Sequence, residues 1–420
     1  MFRRRILFLI SSFSFLLIAN LAQANIPNYN SILIGDRAAG MGGAYTALYE
    51  DSSAIAWYNP AGLALLRGRS FSAAVGIYKK FDTIYNNSED LTSASLKANQ
   101  GFFRPVPSSL GNVHRFQEFL KYWTFALSIV VPYYDTFKGQ ISKEATNVST
   151  LQMTDESLWV GAAMARKISK NQALGVTLYY TARSFSRTVN DRTVTDATHA
   201  KIYTEELAYT QNAVVPVIGY HFGLDDNWKF GLSWRMPSWS VAGKGTYDAT
   251  TIDSGITTTT TNNNLSTKAR IPQKYSLGIA YLFPGMATLS FDASYYAPMS
   301  YSSIEEAGIG ESLRHKGIIN LAGGIEINYR DWIKFRLGGF TNFSSYPDPD
   351  TATTRGEGDH VDMIGWSANA ALKSGHIQYT FGGYYVGGRG RSVQRVNHQY
   401  TDMPKAMQVF TMLVGTAYVF

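Results

Sequence analysis

The sequence contains no cysteine in 420 residues, which excludes disulfides, a thiolate nucleophile and thiolate-bound metal centres. Charge is also scarce: 16% of residues are Asp, Glu, Lys or Arg, against roughly 25% in ordinary soluble domains. Past residue 24 no apolar run approaches the roughly 18 residues of a membrane-crossing helix, so a bundle of such helices is excluded. Beyond Arg3 to Arg5 the basic residues form no cluster, and a net charge of +7 does not point to nucleic acid. The seven histidines are scattered without metal-site spacing, so no metal and no cofactor are expected. What is abundant is aromatic residues, at 14%, and glycine, at 37 residues, which is too aromatic for a disordered chain. This is the composition of a β protein whose surface faces something other than water.

Arg3 to Arg5, the mostly apolar stretch from Ile6 to Ile18 and the small-x-small triplet Ala22-Gln23-Ala24 read as a cleaved export signal over 1–24. No cysteine follows it to carry a lipid anchor. An exported chain of this composition is periplasmic, secreted or an outer-membrane barrel, and strand patterning separates these.

Leu289, Phe291, Ala293, Tyr295 and Ala297 alternate with Thr288, Ser290, Asp292, Ser294 and Tyr296. The same period of two runs through 228–236 and 376–385, giving each strand an apolar and a polar face. Very short turns at 169–171, 225–227, 284–286, 330–332 and 374–375 alternate with long polar stretches, among them 133–156, 187–202, 238–266 and 389–405. That alternation predicts an all-β, up-and-down antiparallel transmembrane barrel of fourteen strands over 69–420, with periplasmic turns and extracellular loops. Phe291 is then lipid-facing, and its neighbour Ser290, facing the lumen, is expected to tolerate arginine far better. The second strand is placed at 94–104, ahead of Pro105 and Pro107. Phe410, Met412, Val414, Tyr418 and Phe420 share one parity, which looks like the terminal strand signal read by the outer-membrane assembly machinery through Phe420.

Residues 35–64 show no strand alternation, and Asp51, Ser52 and Ser53 are placed to cap a short helix before the turn dipeptide Asn59-Pro60. Three stretches stand out: Gly40-Met41-Gly42-Gly43-Ala44, Asp51-Ser52-Ser53-Ala54 and Asn59-Pro60-Ala61-Gly62-Leu63. Together they resemble the amino-terminal region of the FadL/TodX outer-membrane transport family. The resemblance implies a fourteen-stranded barrel whose lumen is closed by a hatch, here residues 25–68, containing the Asn-Pro-Ala element. It further implies passive uptake of long-chain fatty acids or other hydrophobic molecules, from extracellular loops into a lumen pocket and out sideways through a gap in the wall. Gly40, Gly42, Gly43, Asn59, Pro60 and Ala61 are the hatch and gating candidates, either holding the plug in shape or taking part in its opening. Relatives that serve as shuttle or assembly barrels in protein secretion keep a second role open, with surface attachment beside it. The setting is the outer membrane of a Gram-negative bacterium, with its lipid and lipopolysaccharide as surroundings and a monomer as the expected state.

Enzymatic signatures are lacking. Gly40 to Gly43 has no strand before it and no Lys-Ser/Thr after it, so it is not a phosphate loop, and no local Ser, His and acid signature marks a hydrolase. Four cations lie on polar strand faces, Lys229, Arg235, Lys334 and Arg336, where they can meet a substrate carboxylate or pair with lumen acids such as Asp292 and Glu326.

Overall fold

The computed structural model describes residues 27–66, 68–84, 96–98, 104–115, 122–144, 147–194, 200–302, 304, 312–349, 358–396 and 399–419. The expected signal at 1–24 and Phe420 lie outside these residues.

The first half of the chain's strands are β1 (Ser70–Ile84), β2 (Leu96–Ala98), β3 (Arg104–Arg115), β4 (Trp123–Glu144), β5 (Asn147–Lys167), β6 (Gln172–Val194), β7 (Ala200–Gly223), β8 (Trp228–Arg235), β9 (Trp239–Asp253) and β10 (Ile256–Ser266). They are followed by β11 (Lys274–Phe283), β12 (Ala287–Tyr296), β13 (Met299–Ser302), β14 (Ser312–His315), β15 (Ile318–Arg330), β16 (Ile333–Asn342), β17 (Gly358–Ser374), β18 (Ile377–Val396) and β19 (Gln399–Val419). Leaving out β2, β9, β10, β13 and β14, each strand pairs antiparallel with the next, and β19 pairs back onto β1 from Ser70 opposite Val419 to Ile84 opposite Lys405. The ring therefore holds fourteen strands, as the alternation of turns and loops predicts, and it is closed by the pairing of its last strand onto its first.

Side-chain parity sets inside and outside. On β12, Leu289, Phe291 and Tyr295 are exposed while Thr288, Ser290, Asp292, Ser294 and Tyr296 are buried. Leu232 on β8, Phe381 on β18, and Phe410, Met412 and Val414 on β19 also point outward, beside inward Ser233, Arg235, Thr380 and Thr411. The apolar face turned to the surroundings and the polar face turned inward is the reverse of a soluble sandwich, and it matches a wall set in lipid. Phe291→Arg is expected to destabilise the barrel by about 2–4 kcal/mol if it lies near the bilayer midplane, read from unfolding in lipid vesicles; stability equal to wild type would contradict the parity. Ser290 does not offer the tolerance expected of a lumen position. Its cross-strand partner is Gly324, and a Cβ there would run into Met41, so an arginine at 290 has to displace the segment packed against the wall.

Two further expectations are corrected. The second wall strand is Arg104–Arg115, not 94–104, and it carries Pro105 and Pro107 within it. Those prolines are accommodated because residues 104–107 pair only with β1 among the described residues, the ladder to β4 beginning at Ser109 opposite Val130; proline needs no donor on an unpaired side. The long polar stretches are largely strand: β7 runs 24 residues where about 10 cross a membrane, and 238–266 forms the hairpin β9–β10 with β9 paired to β7. Thr257 to Asn264 lie in β10, held by the ladder to β9. Their polarity is that of a solvated sheet, which hydropathy alone does not distinguish from a loop.

The core of the molecule is residues 27–66, which pack inside the ring. They form α1 (Asp36–Gly40), α2 (Ile55–Tyr58) and a 3-10 turn at Pro60–Leu65. Ile34, Met41, Tyr45, Ile55 and Leu63 are fully buried there. None of Asp51, Ser52 and Ser53 caps α2, whose N-cap is Ala54 without a side-chain bond; Asp51 instead shapes the turn before it, its carboxylate accepting from the Ser53 amide at 3.0 Å and the Ser53 hydroxyl at 2.7 Å and its carbonyl from the amides of Ala54 and Ile55. Asn59 caps the 3-10 turn by accepting from the Ala61 amide at 3.2 Å, with Pro60 in the first position where a missing N–H is no loss.

Candidate ligand site in the lumen

Glycines of the wall let the inner segment approach. A Cβ at Gly231, Gly324 or Gly338 would overlap the backbone at Thr46, Met41 or Gly42, and one at Gly175 or Gly219 would meet Pro60 or Asn59. Side chains then fasten what the glycines admit. Asp292 accepts from the Tyr45 amide at 2.9 Å, the Thr46 amide at 2.8 Å and the Thr46 hydroxyl at 2.6 Å. Asn59 donates to the carbonyls of Thr46 at 2.8 Å and Tyr220 at 3.0 Å, joining two parts of the segment to β7. Ser367 donates to the Gly40 carbonyl at 3.1 Å and accepts from the Gly42 amide at 3.0 Å. Gly42 has φ of +67° and lies against the backbone of Gly339, so neither its conformation nor its space admits a side chain. Gly43 has φ of +84°, and Gly40 faces the amide of Asn369.

The four strand cations go to different places. Lys334 and Arg336 both reach Glu326, at 3.4 and 2.6 Å, and Arg37 of the inner segment completes the cluster with a bidentate contact at 2.8 and 2.9 Å. Lys229 donates to the Asp225 carbonyl at 2.7 Å, at the short turn. Arg235 alone of the four stands in the lumen without a carboxylate partner among the described residues. Its guanidinium lies 5.6 Å from the Trp57 ring, 5.7 Å from Trp159 and 5.6 Å from Tyr296, and its Nε has no hydrogen-bond acceptor among the described residues.

Beside it is a residue that reading strand by strand did not single out. Lys274 is the cross-strand partner of Arg235, and its ammonium lies over Tyr296 at 5.3 Å and Tyr58 at 6.0 Å. Like Arg235 it makes no ion pair among the described residues. The nearby acid, Asp292, already has its Oδ2 occupied by the inner segment. Cation–π contacts with four aromatic rings offset part of the desolvation of buried Arg235 and half-buried Lys274, but they do not neutralise the two charges.

A small cavity of about 60 Å³ adjoins this pair toward the loop end, lined by Tyr29, Tyr133, Ile271, Pro272, Met299 and Tyr301 among others. Pro272 connects the two, accepting from Arg235 at 3.5 Å. Arg183, also on the cavity wall, is held by Asp155, with Nε at 2.8 Å from the carboxylate, so it is not available as a free charge. His315 at the rim donates or accepts at Nδ1 with Ser345 at 2.8 Å and Tyr29 at 3.2 Å. Burial, with Arg183 nearby, pushes the His315 imidazole down to about 4, so it is neutral at physiological pH. The site thus joins a mostly aromatic and apolar cavity to a buried arginine and a half-buried lysine that make no ion pair among the described residues, which is a chemistry suited to an amphipathic anion.

Among curated proteins no match is found. Solved structures are similar across nearly the whole chain. A FadL homologue from Pseudomonas aeruginosa has a TM-score of 0.69 at 13% identity, over 94% of this chain and 99% of that one. The toluene transporter TodX from Pseudomonas putida has a TM-score of 0.65 at 12% identity, over 93% and 98%. The toluene transporter TbuX from Ralstonia pickettii has a TM-score of 0.58 at 13% identity, over 93% and 99%. At such identities the likeness shows the fold. The family model described as outer membrane protein transport protein (OMPP1/FadL/TodX) matches residues 16–345, more than three quarters of the sequence. With a closed fourteen-stranded wall, an outward apolar belt and the Asn-Pro-Ala element packed inside, the chain belongs to this FadL/TodX family of outer-membrane transport proteins.

Proposed function

We propose that the protein is a passive channel for hydrophobic molecules bearing an anionic headgroup, long-chain fatty acids foremost, and that residues 27–66 are the hatch that closes it. The observation that carries the ligand class is the Arg235–Lys274 pair. A buried arginine and a half-buried lysine with no carboxylate partner among the described residues, next to an apolar cavity, favour a carboxylate with an alkyl or aryl body over a neutral hydrocarbon. The cavity beneath the loops also favours transport over a role as a secretion or attachment partner, which calls for an exposed loop patch instead. For the exit, the stretch of β3 at residues 104–107 is the wall position at which pairing to β4 is missing among the described residues, and we assign the sideways passage there.

The test uses the purified protein and the fluorescence of Trp57 and Trp159, whose rings flank Arg235. Oleate should quench it with an affinity that falls about 10- to 100-fold in Arg235→Met with Lys274→Met, the worth of one or two hydrogen bonds to a charged group. The alcohol of the same chain length should bind equally to both proteins. Unchanged oleate affinity in the double variant would remove the carboxylate reading while leaving hydrophobic transport in place.

A further inference from the structure

Two carboxyl groups are buried side by side where the inner segment meets the barrel seam. Asp36 and Asp51 both accept from the amide of Arg37, at 2.7 and 3.2 Å. Asp36 also accepts from Thr380 of β18 and lies against Gly415 of β19, where a Cβ would strike it. Asp51 accepts from Ser72 of β1 at 3.3 Å, and Ser72 in turn meets Ser52 at 2.8 Å. The pair therefore touches β18, β19 and β1, the strands that close the ring. Neither carboxylate has a cationic side chain as ion-pair partner among the described residues. The guanidinium of Arg37 is held by Glu326 and Glu50 instead, Tyr45 is a buried phenol beside it, and the remaining contacts are hydroxyls and amides. Two adjacent buried carboxylates cannot both stay ionised without a counter-charge.

We infer that Asp36 and Asp51 hold one proton between them, and that this shared proton latches residues 27–66 to the seam, so that the hatch is held more firmly in acid than above neutrality. The inference rests on the hatch reading but not on the ligand class. Burial, and then the neighbouring Asp36, raise the Asp51 carboxyl from the ordinary aspartate range to about 7. The sign follows from linkage: a carboxyl whose value is raised in the docked state contributes docking stability that is fully present in acid and is lost as pH rises through about 7. Between about pH 5.5 and pH 8.5 the docking constant should fall about 30-fold.

The experiment is single-channel recording of the full-length mature protein in planar bilayers across that range. The frequency of hatch openings should rise about 30-fold toward the alkaline end in wild type. In Asp51→Asn and in Asp36→Asn that dependence should disappear. Infrared difference spectra over the same range should show the loss of a protonated carboxyl band in wild type that is missing from Asp51→Asn. This reading needs only wild type if a variant fails to assemble. Rare openings that do not change with pH, a pH slope retained in Asp51→Asn, or no loss of the carboxyl band would overturn the latch. A wild type conducting as an open pore at every pH would instead overturn the hatch on which it rests.

Discussion

Deleting residues 25–66 is expected to turn a poorly conducting protein into a steadily open pore in planar bilayers. A fourteen-stranded ring is wide enough to need filling, and here the filling is the inner segment. The wall should survive the deletion, because its backbone hydrogen bonds close between neighbouring strands around the ring and require nothing from the lumen. Asn59→Ala with Pro60→Ala should act in the same direction with smaller effect. It removes the two donations to Thr46 and Tyr220 and frees a turn that proline pre-sets, while the Asp292 and Glu326 anchors stay. An intact protein that conducts like an open porin, or a deletion with unchanged conductance, would contradict the assignment.

Glu326→Ala should be the most damaging single substitution of the lumen. Glu326 is 1% exposed and gathers Arg37, Lys334 and Arg336, of which Arg336 is 2% exposed. Removing the one acid leaves buried Arg336 without a counter-charge and Arg37 with only exposed Glu50, an effect of about 3–5 kcal/mol in comparable buried pairs. Thermal unfolding of the detergent-solubilised barrel would measure it. Arg37→Ala should cost less, because Glu326 then keeps its two strand partners, yet it should loosen the hatch, since that contact is made by the inner segment. Equal losses in the two variants would show that Glu326 does not act as a shared anchor.

Much of the fold was legible because a β-barrel writes its inside and outside into alternate residues. Phe291 and Ser290 differ in exposure as their types require, and the short turns at 225–227 and 330–332 separate strands where expected. Pro105 and Pro107 obscure the second strand in the sequence, because proline breaks a ladder only on a paired side and residues 104–107 pair on one side alone among the described residues. The strands beyond the membrane are hard to read because stretches such as Thr257 to Asn264 of β10 are exposed on both faces and lack the apolar alternation, although Phe185, Leu207, Tyr209 and Tyr247 of β6, β7 and β9 bury a small cluster of their own. At the site, Arg235 was visible as a cation on a polar face, whereas Lys274 was not recognised. Its parity was readable, two residues before inward Ser276, but its position opposite Arg235 depends on β8 and β11 pairing across the intervening hairpin. The wall glycines carry no signal of their own either, since what fills the space over Gly231 is Thr46, 185 positions away in the chain.

The path of the inner segment bears on how the molecule assembles. Its beginning is tied to the loop end, where the Pro27 carbonyl accepts from the Ser345 amide at 2.8 Å and Asn28 donates to the Asn342 carbonyl at 2.7 Å. Its end is tied to the turn end, where the Ala64 carbonyl accepts from Arg115 at 2.9 Å. The polypeptide is thus threaded lengthwise through a ring that is sealed by pairing of its first and last strands. Pushing a strap of this bulk, with Arg37 and Glu50 on it, through a finished ring would mean dragging charges past a filled bore. The order of events that avoids this is for the strap to be laid against an open, curling sheet and for the β1–β19 ladder to zip last around it.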